Sequence, residues 1–329
     1  MKQNKRKKIT YILPTYNEEA GISVFFNQLS EVIGELKGKY DIEYLFINDG
    51  STDKTLEILK NLKPKSSCES VRIINFSKNF GHESALAAGM DYIDSDAGII
   101  MDTDLQDPPA VSLELIKGWE DGYDMVAARR STRVDGFLKK FTAKAFYKVF
   151  SFMSDSRMPE DVGNFRLLDQ KVIKAIRRYG EHSRMFRAMV ADVGFKQKIV
   201  DFKRDGRYAG ETHYPYSKMF SLAIDGIMGY SIKPLKMITK VGLVICLFDF
   251  ILALVLLINK FVHFLPIPNT GLPGWTSEII VIIFFAGLQI FILGIIGAYI
   301  GRIFTDVQNR PLYLVSDEIN ILNTNSNGK

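Results

Sequence analysis

The chain has 329 residues, a net charge of +5 from 42 Lys+Arg against 37 Asp+Glu, and 47% hydrophobic residues. That apolar content excludes a disordered chain, two cysteines exclude a disulfide scaffold or a cysteine-built zinc site, and the mild charge excludes a uniform nucleic-acid binder while suiting a phosphate or a lipid surface. A mean hydropathy of +0.03 averages two unlike parts that divide near residue 235.

Taken in chain order, the basic cluster Lys2, Lys5, Arg6, Lys7, Lys8 reads as a solvated tail and not a signal peptide, because the apolar run after it is short and breaks at Pro14. Short β-branched or apolar runs at 9–13, 44–47, 71–76, 98–101 and 125–128 predict strands, and helical patterns at 20–34, 55–62, 83–91 and 109–119 alternate with them. Such alternation predicts an α/β fold with a mostly parallel sheet covered on both faces. Trp119 is expected in the core, and Arg177, Arg178, Arg184 and Arg187 on a solvated helix face, the alternative being that one of them touches phosphate or membrane. In residues 216–234, Phe220, Ala223, Ile224, Ile227 and Ser231 share one helical face against Lys218, Asp225 and Lys233, which predicts an amphipathic helix at a membrane interface.

Residues 241–258 are apolar except for Asp249, and 279–300 except for Gln289. Stretches of roughly 18 or more apolar residues are long enough to cross a bilayer, so both are expected to span it. Lys233, Lys236 and Lys240 precede the first and Arg302 and Arg310 follow the second, whereas the connector offers Lys260, His263 and Glu278. The positive-inside rule then places both termini and the large N-terminal portion in the cytoplasm. Asp249 and Gln289 suggest an interhelical hydrogen bond, Gly297 and Gly301 a close helix contact within or between chains, and Trp275 an interface anchor. The Asn-rich residues 320–329 are expected to be disordered. The organisation read from the sequence is a soluble domain (1–215), an amphipathic juxtamembrane segment (216–238), two transmembrane helices with a short external connector (239–302) and a cytoplasmic tail (303–329).

In an open parallel sheet the ligand site lies beyond the carboxyl ends of the strands. Those ends are acidic here: Glu18 and Glu19 follow the first strand, Asp49 and Asp53 the second, and Asp102, Asp104 and Asp107 the fourth. Neither G-x-G-x-x-G nor G-x-x-x-x-G-K-[ST] occurs in the soluble part, which argues against a nicotinamide dehydrogenase or a Walker NTPase. Asp102 and Asp104, at i and i+2 after an apolar strand, can hold a hard divalent cation that keeps its other positions for phosphate oxygens and neutralises a diphosphate leaving group. A lone D-x-D is common in turns, and it is the convergence of three acidic strand ends that gives this one weight.

The segments PTYNEE (14–19), NDGSTDKT (48–55), NFGHESALAAGMD (79–91) and MDTDLQDPP (101–109) resemble the family-two glycosyltransferases of GT-A fold. With EDVGNFRLLD (160–169), RYAGETHYPYSK (207–218) and two C-terminal spans, the chain is similar to the bacterial polyprenyl-phosphate, or bactoprenol, glucosyltransferase group, with dolichol-phosphate mannose synthases as distant relatives. The resemblance runs over about residues 8–310. It implies a membrane enzyme of the cytoplasmic membrane that moves a single hexose, glucose first, from a UDP-sugar to undecaprenyl phosphate with inversion, for cell-envelope glycosylation. N-acetylglucosamine or mannose on the same lipid is the nearest alternative. A processive polysaccharide synthase would carry Q-x-x-R-W, and no Arg-Trp pair exists here; a non-catalytic nucleotide-sugar-binding scaffold would not need the full acidic set.

By the same resemblance Pro14, Tyr16 and Glu18 sit against the base and ribose, and Asp49 contacts the uridine. Asp102 and Asp104, helped by Gln106, bind Mg²⁺ or Mn²⁺ and the donor diphosphate. Arg129 matches a donor-binding arginine after the fifth strand, Arg207, His213 and Lys218 fall where the acceptor phosphate is received, and Asp161 holds the position of the catalytic base. His213 stands where the family commonly has Lys, as does His82. The resemblance further implies a homotetramer, contact with membrane lipids, and a separate flippase and downstream glycosyltransferase; no nucleic-acid partner is expected.

Overall fold

The structure is a computed structural model that describes residues 6–36, 38–130, 162–180, 186–202, 233–262 and 275–322. The chain divides into two compact units: Met1–Lys148 with Ser156–Pro215 and Asn309–Lys329, and Val149–Asp155 with Tyr216–Gln308.

The first unit is built on one eight-stranded sheet. Its strands are β1 (Lys7–Thr15), β2 (Tyr40–Asn48), β3 (Glu69–Phe76), β4 (Ala97–Ile100), β5 (Met125–Arg130), β6 (Val162–Asp169), β7 (Gln197–Phe202) and β8 (Val315–Leu322), in the order β7-β5-β6-β4-β1-β2-β3-β8. The pairs β1/β2, β1/β4, β2/β3 and β5/β7 are parallel; β6 is antiparallel to β4 and β5, and β8 to β3. The parallel expectation therefore holds for the five strands read from the sequence, and the two antiparallel members lie among those it did not predict. One consequence matters for the site: β6 starts, at Val162, on the edge where β1, β2, β4 and β5 end.

Both faces of the sheet are covered, so its strands are apolar almost throughout, as buried parallel strands must be. In β1, Ile9, Tyr11 and Leu13 join the core beneath α1 (Ile22–Ile33), α2 (Thr55–Lys60) and α4 (Val111–Glu120). Ile12 joins the opposite core beneath α3 (His82–Tyr92), α5 (Gln170–Ile176) and α6 (Phe186–Asp192). Trp119 is in the core as expected, its indole N–H donating to Asp169 at 2.8 Å. One buried charge in the strands, Glu43, is satisfied by Lys8 and by Thr10, each at 2.9 Å.

The close seating of α3 on β1 depends on Gly89, where an added Cβ would stand 2.2 Å from Ile12 Cγ2. Because α3 starts at His82, this contact also sets where that residue sits.

β8 departs from the sequence reading. Residues 315–322, assigned to a cytoplasmic tail that becomes disordered at 320, pair with the free edge of β3. Arg72 donates to Glu318 at 2.6 and 2.9 Å, and Tyr313 stacks on Phe76 with ring centroids 5.0 Å apart and donates its hydroxyl to Asp91 at 3.0 Å. An edge strand with unpaired backbone groups is thereby covered.

In the second unit, both long apolar stretches are helical, within α7 (Lys233–Val262) and α8 (Trp275–Val307). Among the described residues one stretch, Val281–Val307, is long and apolar enough to cross a membrane, with mean hydropathy 2.6 and none of it buried within the chain. The expectation of a span is thus supported for the second of the two stretches. Among the described residues, nothing lies within 4 Å of a Cβ at Gly297 or Gly301. The amphipathic stretch before α7 lies mostly outside the described residues.

Substituting Gly89→Ala forces a methyl into the α3–β1 contact and is expected to destabilise the first unit by about 1–3 kcal/mol. Equilibrium urea unfolding reads this, and a midpoint equal to that of the parent would contradict the close seating of α3.

Candidate active site

A cavity of about 420 Å³ opens at the carboxyl edge of the sheet. Pro14, Thr15, Tyr16 and Glu18 line it from the end of β1, Asp49 from the end of β2, Asn79 and Gly81 from the β3–α3 turn, His82 and Ala85 from the first turn of α3, and Asp102, Thr103 and Asp104 from the end of β4. Six residues expected at a donor site are thus brought together: Pro14, Tyr16, Glu18, Asp49, Asp102 and Asp104.

The loops after β1 and β2 clasp each other. Asn17 N–H donates to Ser51 at 3.0 Å while its side-chain oxygen accepts from Thr52 N–H at 2.8 Å, and Glu18 N–H donates to Thr55 at 2.8 Å. Asp53 accepts from the backbone of Glu19 and Thr55. Burial raises the Asp53 carboxyl, but the hydrogen bonds from Thr55 and Glu19 outweigh it and hold the group below the usual carboxylate range.

Asp49 ties β2 to the β3–α3 turn, accepting from Phe80 N–H at 2.7 Å and Gly81 N–H at 3.0 Å. Burial pushes its carboxyl up, against the lowering effect of those two bonds and of His82. Gly50 follows with φ +64°, and a Cβ there would lie 2.2 Å from the Lys78 carbonyl carbon. Only glycine allows this approach.

At the end of β4, Asp104 accepts from Gln106 N–H at 3.1 Å, and Leu105 between them has φ +61°. A bulky residue in that region is a true outlier, of a kind that costs on the order of 1–3 kcal/mol and clusters at functional sites. Thr103 donates to the Pro14 carbonyl at 3.1 Å, joining the acidic loop to the β1 loop. Asp102 Oδ1 is shielded from solvent and has no hydrogen-bond partner among the described residues; His82 Nε2, 3.8 Å away, is beyond bonding distance.

Such an orphaned oxygen, with Asp104 beside it, is the donor set a hard divalent cation would satisfy. No group of three or more His, Cys, Asp or Glu that could hold a metal ion gathers among the described residues. Gln106 is buried and does not line the cavity; what it contributes is the backbone bond that orients Asp104.

Arg129 is turned away from the cavity. It binds Asp201 of β7 through two bonds of 2.6 and 2.9 Å and pulls the Asp201 carboxyl below its ordinary range. The next residue, Arg130, pairs at 3.6 Å with buried Asp107 of the acidic loop. Successive strand residues face opposite ways, so the two arginines take partners on different sides of β5.

Beside the cavity, Arg187 joins two residues that the sequence reading did not name, Asn164 and Arg166 of β6. Asn164 Nδ2 lies 3.0 Å from His82 Nε2, Arg187 donates to Asn164 Oδ1 at 3.0 Å, and Arg166 is buried behind them. Burial first, then the nearby Arg187 charge, draws the Arg166 guanidinium down to about 9, opposed by Glu83. Asp161, Arg207, His213 and Lys218 lie outside the described residues.

The profile of the glycosyl transferase family 2 matches residues 10–192, which contain the sheet edge and every residue of the cavity. The chain belongs to this family. It is 42% identical over 316 residues to an uncharacterized glycosyltransferase, YkcC, of Bacillus subtilis, covering 95% of this chain and 94% of that one. It is 41% identical over 311 residues to an uncharacterized glycosyltransferase of Synechocystis, covering 94% and 95%, and 38% identical over 309 residues to the SfII prophage-derived bactoprenol glucosyl transferase of Shigella flexneri, covering 94% and 97%. This glycosyltransferase therefore has the α/β sheet of the GT-A fold, with its acidic pair at the end of β4.

Replacing Gly50 by Ala in this glycosyltransferase should displace the 77–81 turn and break the Asp49 bonds, destabilising the protein by about 1–3 kcal/mol. A denaturation midpoint unchanged from the parent would contradict the close approach of Gly50 to Lys78.

Proposed function

We propose that the enzyme transfers one glucose from UDP-glucose to undecaprenyl phosphate at the cytoplasmic face of the membrane. The observation that carries this is the solvent-shielded, unpartnered Asp102 oxygen beside Asp104 in a cavity at the sheet edge, on a chain that also carries a membrane-length apolar helix. The name of the Shigella flexneri relative, a bactoprenol glucosyl transferase aligned over nearly its full length, supports the choice of sugar and lipid.

In this reading Tyr16, 45% exposed at the cavity mouth, covers the base, and Glu18 and Asp49 border the nucleoside. Asp102 and Asp104 would hold Mg²⁺ or Mn²⁺, which when bound neutralises charge on the donor diphosphate. The acceptor's second phosphate pKa is near 6, so at neutral pH the attacking oxygen is already largely deprotonated. That oxygen forms a bond to the anomeric carbon while the carbon–oxygen bond to UDP breaks, and the bonding pair leaves with the UDP β-phosphate. Attack from the opposite side inverts the configuration, giving a β-linked lipid-phosphate sugar. Asp161, next in sequence to the start of β6, is assigned to orient the acceptor and stabilise positive charge at the anomeric carbon. Arg207, His213 and Lys218 are assigned to the approach of the acceptor at the headgroup level. Both apolar helices are assigned as spans, with the termini and the catalytic unit in the cytoplasm.

Membranes carrying the full chain, supplied with radiolabelled UDP-glucose and undecaprenyl phosphate, should yield labelled lipid on solvent extraction. No labelled lipid, or equal label from an unrelated UDP-sugar, would contradict the reading. Asp161→Asn should lower turnover by about 10²-fold with donor affinity kept, since it removes a charge needed in the transition state. A turnover equal to the parent's would remove Asp161 from the mechanism.

A further inference from the structure

The cavity has two chemically unlike sides. Asp49, Asp102, Asp104 and Glu18 are acidic, whereas His82 connects through Asn164 to Arg187. A guanidinium only donates hydrogen bonds, so the bond from Arg187 Nε fixes Asn164 Oδ1 as acceptor and leaves Nδ2 as donor. His82 Nε2, 3.0 Å from that Nδ2, is then the acceptor, and the ring proton resides on Nδ1. The same arrangement explains why Asp102 Oδ1, 3.8 Å from Nε2, receives no donor from His82.

Every polar group left unused along this chain of bonds is therefore a donor: His82 Nδ1–H, and the Arg187 η N–H groups, which bond to nothing among the described residues. The His82 side chain is 44% exposed in the cavity wall and Arg187 is exposed. Behind them lies a second guanidinium, Arg166, close enough to Arg187 for their charges to repel, with Glu83 as the nearby carboxylate. Glu83 is itself occupied by Phe186 N–H at 2.8 Å. Two guanidinium charges against one carboxylate, with only donors turned outward, suit a phosphate.

We propose that His82 and Arg187, aligned through Asn164, receive the phosphate of the lipid acceptor. The proposal rests on the glycosyl transfer reading above. A phosphate held here lies beside the Asp102 end of the donor site. Arg187, which reads from sequence as part of a solvated face, becomes a substrate-binding residue, and Asn164 a positioning residue.

The test uses the purified full chain in lipid nanodiscs, with initial rates measured separately against UDP-glucose and undecaprenyl phosphate. His82→Leu and Arg187→Gln should each raise the acceptor KM roughly tenfold, the value of one hydrogen bond to a charged group, with the donor KM unchanged. Arg187→Lys should restore part of the loss. Asn164→Leu should raise the acceptor KM, and ¹⁵N-histidine spectra, tractable with four histidines in the chain, should move the His82 proton from Nδ1 toward Nε2. A rise in the donor KM instead, or acceptor KM values equal to the parent's, would overturn the proposal. Retained UDP binding by each variant shows that it is folded, and the exposed Arg187→Gln serves where His82→Leu does not fold. Absence of labelled lipid from the parent enzyme would overturn the activity reading first, before any variant is compared.

Discussion

A carboxylate oxygen that is shielded from water and given no hydrogen-bond donor is costly, because the charge has lost its hydration without compensation. Asp102 Oδ1 is in that position, and the surrounding structure keeps it so. Asn164 occupies the one nearby ring nitrogen that could have supplied a proton, and Arg187 fixes the direction of the Asn164 amide. Asp104 is meanwhile turned by the Gln106 backbone across a left-handed Leu105. Under the proposed function, such a site favours a cation bound together with an anionic ligand over either one alone.

Holding four loops in register at one edge is what the sheet accomplishes. Parallel pairing of β1 with β2 and β4 brings Thr15, Asn48 and Ile100 to the same side, and the Asn17–Thr52 and Glu18–Thr55 bonds lock the first two loops together. The third is locked by Asp49 and by the close approach of Gly50. β8 extends this bracing outward: Asp317 accepts from Asn75, Asn75 accepts from Asn48, and Asn48 accepts from Ser51. The segment that follows α8 in the chain is thus bonded, through three side chains, to a loop of the cavity.

Much of this was legible in the sequence, and for identifiable reasons. The first five strands are short apolar runs between helical patterns, a strong periodic signal, and each stands where expected. Asp102 and Asp104 were readable because an acidic pair directly after a buried strand has a fixed place in such a sheet. β6 and β8 were not, since the sequence VGNFRLLD mixes polar and apolar residues and VSDEINIL carries two acids and an asparagine. Their strand character comes from pairing partners far away in the chain. Strand alternation separates Arg129, paired with Asp201, from Arg130, paired with Asp107, a distinction that one residue decides and composition does not show. Arg187 was readable only as one of four arginines, and what sets it apart is its bond to Asn164, 23 positions earlier.

The account's central claim is that Asp102 and Asp104 bind a divalent cation together with the donor diphosphate. Isothermal calorimetry of UDP binding to the full chain, with and without Mn²⁺, tests it most directly. The account predicts that Mn²⁺ tightens UDP binding by about tenfold or more, and that Asp102→Asn abolishes this gain. UDP binding of equal affinity with Mn²⁺ and with chelator, or a gain that survives Asp102→Asn, would contradict it.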